Sequence, residues 1–327
     1  GQPGKLISDG EMLRNPAAAD ALEALAENGP ELFYRGEWAR RLVEDCREKG
    51  GHMTLEDLQG YRVERRKPVV FPYRGVRIAI NPPPSPGGCL VAFALGVMSD
   101  WDSEGAQWGN PDHMMNLLRG MRAASLARHA FSMEGGMGLE TLWRLLDKET
   151  IREWQRSMQL HSLFTRGTTH ISVADSDGNI ASLTASNGEG CSYVLPGTGI
   201  MLNNMLGEED LHPGGFNRWI EGARLSSMMS PAVAEMPDGT RFALGSGGSN
   251  RIRSAITQML VNLFDFGMTP AQAVAAPRIH LEGNMLSYEP DLPLDSLNAL
   301  CSAVPEHHGW PDPVSYTHLT LPTIPFE

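Results

Sequence analysis

The sequence predicts an α+β chain. Helical-period segments fill its first half, strand-type alternation takes over near residue 165 around Asp177-Gly178, and a long helix and a second hairpin follow. With 327 residues and 41% hydrophobic content, the chain can bury a sizeable core in one large domain or two smaller ones.

Residues 16–28 place Ala18, Ala21, Leu22 and Leu25 on one face, and Gly29-Pro30 ends the segment. Residues 37–49 repeat the pattern up to Gly50-Gly51. Thr54 with Asp57 three residues on has the form of an N-terminal capping box for a short helix over 54–58. PVVFPYRGVRIAI, 68–80, reads as two strands around Tyr73-Arg74-Gly75, and NPPPSPGG, 81–88, as a rigid loop leading to a helix from Cys89 to Met98. Helical stretches follow over 111–133 and 138–157. HISVAD, 170–175, and IASLTAS, 180–186, alternate as strands, and Asp177-Gly178 suits the positive φ of the turn between them. Residues 249–267 read as a long helix, and Thr269-Pro270 starts a short one ending at Pro277. Residues 278–289 read as a hairpin over Gly283-Asn284.

A net charge of −12 argues against nucleic acid or an anionic membrane as the main partner, and no apolar run is long enough to span a bilayer. The four cysteines, Cys46, Cys89, Cys191 and Cys301, have no metal-ligand spacing and read as buried or half-buried free thiols. The sequence opens without Met, as a piece beginning inside a longer protein would. SYTHLTLPTIPFE, 315–327, fits nothing before it, and residues 314–327 read as a foreign tail.

The segment TRGTTHISVADSDGN holds the chemistry. If the chain is cut after Gly167, Thr168 carries a hydroxyl and a free α-amine on one residue. The amine, with an ordinary pKa of about 8, can take the hydroxyl proton and activate a weak nucleophile. Gly167 leaves the scissile carbonyl open, and a strand would hold Thr168 rigidly. Taken alone, paired threonines at a strand start also follow from β propensity.

The string Thr168, Thr169, His170, Ser172, Val173, Asp175, Gly178, Asn179 resembles the start of the small subunit of the gamma-glutamyltransferase (gamma-glutamyltranspeptidase) family. So do FYRG at 33–36, GGHMTLEDLQGYRV at 50–63, NPPPSPGG at 81–88, GTGIMLNN at 197–204, RLSSMMSP at 224–231, GSGGSNRI at 245–252 and AAPRIH at 275–280, in family order. The resemblance implies a four-layer αββα sandwich of the N-terminal-nucleophile hydrolase type. Residues 1–167 would be the C-terminal part of a large subunit, and 168–313 a small subunit headed by the nucleophile. The two would form a heterodimer after autocatalytic cleavage at Gly167-Thr168. The implied reaction is acyl transfer or hydrolysis of a small γ-glutamyl amide such as glutathione, with no metal or organic cofactor, in a periplasmic or extracellular setting.

Residue by residue, the resemblance makes Thr168 the nucleophile and Ser186 the hydroxyl that orients it. Gly247 and Gly248 supply oxyanion donors, with Ser249 an alternative second donor because the family has Pro before its two glycines. Asn187, one residue early with Gly188 in the ungapped position, is implied near the substrate's α-amino end. Asp210, or Glu208 or Glu209, would pair with the α-ammonium, and Ser226 and Ser227 would bind the α-carboxylate. Met205 stands where the family has a polar residue, which leaves room for an acylase with a non-glutamyl donor. An unprocessed binding homologue is the other alternative. His170 shares the strand face of Thr168 but reads as structural, and Arg224 and Arg251 read as partners of acids. The family's carboxylate-clamping Arg falls before Gly1.

Overall fold

The computed structural model describes residues 10–133, 139–147, 149–151, 168–208, 211–212 and 221–311. The first half contains α1 (Pro16–Asn28), α2 (Glu31–Tyr34), α3 (Glu37–Glu48), α4 (Leu55–Gly60), β1 (Val69–Tyr73), β2 (Val76–Ile80), α5 (Pro86–Met98), α6 (Pro111–Met133) and α7 (Leu139–Leu145). The second contains β3 (Thr169–Ala174), β4 (Ile180–Ala185), β5 (Val194–Leu195), β6 (Ile200–Met201), β7 (Ala232–Glu235), β8 (Arg241–Leu244), α8 (Arg251–Phe264), α9 (Pro270–Ala275), β9 (Ile279–Glu282), β10 (Met285–Tyr288), α10 (Leu294–Ala303) and β11 (Glu306–Gly309). The class is mixed helix and sheet, as the periodicities predict.

The chain divides into two compact units. One comprises residues up to Arg65 with Glu189–Asn204. Here Asn15 caps α1, its Oδ1 accepting from Ala18 N at 3.2 Å and its Nδ2 donating to Gly199 O at 2.9 Å. The Thr54–Asp57 capping box forms as predicted. Tyr193 Oη donates to Asp45 Oδ2 at 2.7 Å, tying the loop after Glu189 to α3.

The other unit, Arg66–Gly188 with the residues from Met205 on, holds the main core. Its antiparallel sheet has the order β1-β2-β7-β8, and Ile78 pairs with Ala234 and Ile80 with Ala232. One sheet therefore joins segments about 150 residues apart in sequence. α5 is apolar all round because it is covered all round. Leu90, Phe93 and Leu95 have no exposed surface, and each such burial contributes roughly 1.5–3 kcal/mol. α6 and α8 pack against α5. A second sheet has the order β11-β10-β9, with β10 and β11 parallel. The β3–β4 hairpin lies against β8, where Ser172 Oγ donates to Ala243 O at 3.1 Å and Ser182 Oγ to Leu244 O at 2.9 Å.

Several expectations are corrected. α5 begins at Pro86, three residues before the predicted Cys89, because proline suits the first helical turn and the glycines admit close neighbours. A Cβ on Gly87 would lie 2.3 Å from Met228 O. Leu22, placed on the inner face of α1, is 62% exposed, while Ala21 is buried. Cys191 is exposed, not buried or half-buried. α7 stops at Leu145 and helix resumes over 149–151, while residues 152–157 of the predicted stretch lie outside the described residues. The β7–β8 hairpin over Asp238-Gly239 had no strand assignment from the sequence. Among the described residues, no helix is long and apolar enough to cross a membrane.

Candidate active site

Thr168 sits at the head of β3, directly across from Ser186 at the end of β4, because Thr169 pairs with Ala185. Its Oγ1 lies 3.3 Å from Ser186 Oγ. Ser186 Oγ also accepts from Gly188 N at 3.0 Å, so the turn after β4 fixes that hydroxyl. Both side chains line a pocket of about 290 Å³, including the part open to solvent. Its other polar walls come from Glu208, Ser227 and Ser249, and its apolar walls from Met205, Leu211, Met228, Met229 and Ile252.

His170 shares the inward row with Thr168, as strand alternation requires. Its Nδ1 lies 2.8 Å from Thr184 Oγ1 and its Nε2 3.0 Å from Ser172 Oγ. Ser172 spends its proton on Ala243 O, so it accepts from Nε2–H, and Nδ1 accepts from Thr184. Burial lowers the His170 pKa and favours this neutral ring. Both nitrogens are engaged within the hairpin.

The turn before α8 carries two residues in the left-handed half of backbone space, Gly248 at φ 110° and Ser249 at φ 52°. Ser249 lines the Thr168 pocket, whereas Gly247 lines a separate pocket with Arg251, Ser254 and His280. The geometry thus favours Ser249, the alternative, over Gly247 as a residue facing Thr168.

The family model for gamma-glutamyltranspeptidase matches residues 2–314. The chain belongs to that family. It is 33% identical over 312 residues to the acylase ACY 1 proenzyme of Pseudomonas sp. (strain V22), covering 92% of this chain and 55% of the relative. It is 29% identical to the glutathione hydrolase proenzyme of Escherichia coli (strain K12), covering 85% and 52%. The chain spans about half the length of the curated relatives it matches. A cephalosporin acylase from Bacillus halodurans shares the fold, with a TM-score of 0.80 at 24% identity over 96% of this chain and 59% of that one.

The remaining family positions divide. Ser227 lines the pocket, whereas Ser226 does not, and its Oγ donates to Leu211 O at 3.1 Å. Asn187 is exposed and outside the pocket lining. Glu208, 5% exposed, faces the pocket. Asp210, Glu209, Gly167 and the tail 314–327 lie outside the described residues. Sequence reasoning missed the anchor of Ser227. Ser85 Oγ donates to Ser227 O at 2.6 Å, Gly87 N donates to the same oxygen at 3.3 Å, and Asn81 Nδ2 donates to Met229 O at 2.9 Å. The signal was NPPPSPGG, which reads as a rigid loop but not as a tether for a segment some 140 residues on. Among the described residues, no cluster of three or more His, Cys, Asp or Glu could hold a metal ion.

Proposed function

We propose that this chain carries the acyl-transfer centre of a γ-glutamyl hydrolase or transferase, with Thr168 as nucleophile once the Gly167–Thr168 bond is cut. The observation that carries the reading is the 3.3 Å contact of Thr168 Oγ1 with Ser186 Oγ inside the pocket, at the residue where the family string begins. The freed α-amine takes the hydroxyl proton as Oγ1 attacks the amide carbonyl. The tetrahedral oxyanion forms beside the Gly248-Ser249 turn, and donors so placed contribute roughly 3–4 kcal/mol each. Collapse expels the amine, which takes the proton from the ammonium, and leaves an ester on Thr168. Water or an acceptor amine then resolves the ester. Glu208 takes the role first assigned to Asp210, pairing with the donor's α-ammonium, and Ser227 binds its carboxylate. The same attack turned on the carbonyl of Gly167 accounts for self-cleavage. The products would stay together as a heterodimer, because β2 precedes the cut, β7 follows it, and the two share a sheet.

The four-layer sandwich belongs to this reading. In it the β1-β2-β7-β8 sheet and the β3–β4 hairpin would be the two β layers, and α5, α6 and α8 one of the two helical layers.

One observation favours a second donor class. Met205, Met228 and Met229 wall the pocket, and a thioether at 205 offers an amino group no strong acceptor. An acylase on the same scaffold, taking a glutaryl-type donor, fits those walls.

Expression of the complete gene, followed by mass spectrometry, tests the nucleophile. The expected result is a polypeptide beginning at Thr168 in the wild type and none in Thr168→Ala, which also loses all turnover. Residual turnover in that variant would place the nucleophile elsewhere. Release of nitroaniline from γ-glutamyl against glutaryl anilides separates the two donor classes.

A further inference from the structure

Asn250 stands between the Gly248-Ser249 turn and α8, at the position where asparagine ordinarily caps a helix. It makes no such cap. Its side chain, 4% exposed, is held at both ends instead. Arg128 Nη1, from α6, donates to Asn250 Oδ1 at 2.6 Å, and Asn250 Nδ2 donates to Glu282 Oε1 at 3.4 Å. Glu282, at the end of β9, also accepts from Arg253 Nη2 at 2.6 Å and lies 3.8 Å from Arg128. Arg253 is 2% exposed and donates as well to Ser125 Oγ at 3.0 Å. A buried carboxylate with two guanidinium groups therefore ties α6, α8 and β9 to one amide side chain. The residue before that amide is Ser249, whose positive φ persists only where its surroundings over-determine it.

We propose that Asn250 is a positioning residue for acyl transfer, through which the Arg128–Glu282–Arg253 cluster fixes the Gly248-Ser249 backbone against the Thr168 pocket. This rests on the reading that the turn receives the oxyanion. Oxyanion donors act only when aimed at the place where charge develops, and a misplacement of about 1 Å costs on the order of 100-fold in rate. Hydrogen bonds to charged partners are shorter and stronger than neutral ones, so a guanidinium and a carboxylate hold the amide more firmly than neutral partners would.

The test is Asn250→Ala, which leaves the Arg253–Glu282 pair intact, with Glu282→Gln as a second variant that keeps the shape and removes the charge. Two measurements are made on the product of the complete gene. The first is amide hydrogen exchange over residues 246–251 without substrate, and the second is kcat and KM with an anilide donor. The expected result for Asn250→Ala is exchange at Gly248 and Ser249 faster by about tenfold or more. Its kcat falls on the order of 100-fold, with KM little changed and a melting temperature within a few degrees of wild type. Glu282→Gln moves both readouts in the same direction. Unchanged exchange at the turn overturns the proposal whatever the activity. So does faster exchange with kcat intact, since the clamp would then serve only the fold. If the wild type neither cuts itself nor turns over a donor, the functional reading fails on the wild type alone, and the catalytic part of this proposal falls with it. The exchange result still decides whether Asn250 holds the turn.

Discussion

Gly245→Ala tests whether the inward row of the β3–β4 hairpin is as tightly held as the structure indicates. A Cβ built on Gly245 lies 2.2 Å from His170 Nδ1 and 2.3 Å from Cε1. The ring is 5% exposed and both its nitrogens are bonded, so it cannot swing aside without giving up Thr184 or Ser172. Forcing a methyl into such a site costs about 1–3 kcal/mol, and leaving a buried polar group without its partner adds about 1–3 kcal/mol. The expected loss is therefore roughly 2–6 kcal/mol, a large part of the roughly 5–15 kcal/mol that holds an ordinary domain folded. Urea unfolding of wild type, Gly245→Ala, His170→Ala and the double variant reads it. Removing the ring relieves the clash, so the double variant should lose less than the sum of the singles by at least about 1 kcal/mol. A loss below about 0.5 kcal/mol in Gly245→Ala, or strict additivity in the cycle, would refute the reasoning.

Two further predictions concern titration and thiol chemistry. His113 is fully buried between Trp101, Trp108 and Phe266, and burial pulls its pKa from 6.5 to about 4. Between those values the unfolded chain binds a proton that the folded chain refuses. Stability is then complete above pH 6.5 and falls by roughly 1.4 kcal/mol per pH unit below it, about 2 kcal/mol by pH 5. His170 and His280 are shifted in the same direction and steepen the fall. Urea unfolding at pH 7 and pH 5 checks this, and an equal pH loss in His113→Gln would count against it. The Cys89 thiol is fully buried and pushed up to about 12, while Cys191 is exposed. Iodoacetamide at pH 8 should label Cys191 in the native protein and Cys89 only after denaturation, read by peptide mass mapping; native labelling of Cys89 would contradict the packing of α5.

Local chemistry was legible in the sequence wherever it was self-contained. α1 runs over the predicted 16–28, Gly178 takes the positive φ demanded between β3 and β4, the Thr54–Asp57 capping box formed, and a short helix starts at Thr269-Pro270 as read. The β7–β8 hairpin had no assignment although its Asp238-Gly239 turn carries the same Asp-Gly signal as the turn between β3 and β4. The site was legible as a set of positions but not as a set of facings. Ser226 and Ser227 are neighbours, yet only Ser227 lines the pocket, and Ser85 and Gly87 hold its carbonyl from a loop far back in sequence. Gly247 and Ser249 likewise face different pockets, which follows from the φ values of the turn and from no property of the string itself.

The hairpin itself supplies an argument for a site that does not depend on family likeness. A strand pair that only filled the core would bury Ile171, Val173 and Leu183, and register is normally set by that preference. On the inner side, against β8, Thr168, His170 and Ser172 instead face Ser186, Thr184 and Ser182. Turning six polar side chains inward is unfavourable unless they are satisfied. Here they are linked to one another and to β8 by the contacts Thr168–Ser186, His170–Thr184, His170–Ser172, Ser172–Ala243 and Ser182–Leu244. A sequence that departs from its local rule while building a connected polar row in its place marks a functional position more often than a packing accident. The row ends at Thr168, the residue whose hydroxyl opens into the pocket. On the proposed reading, the strand pair holds the Thr168 hydroxyl in register with Ser186 at the end of that row.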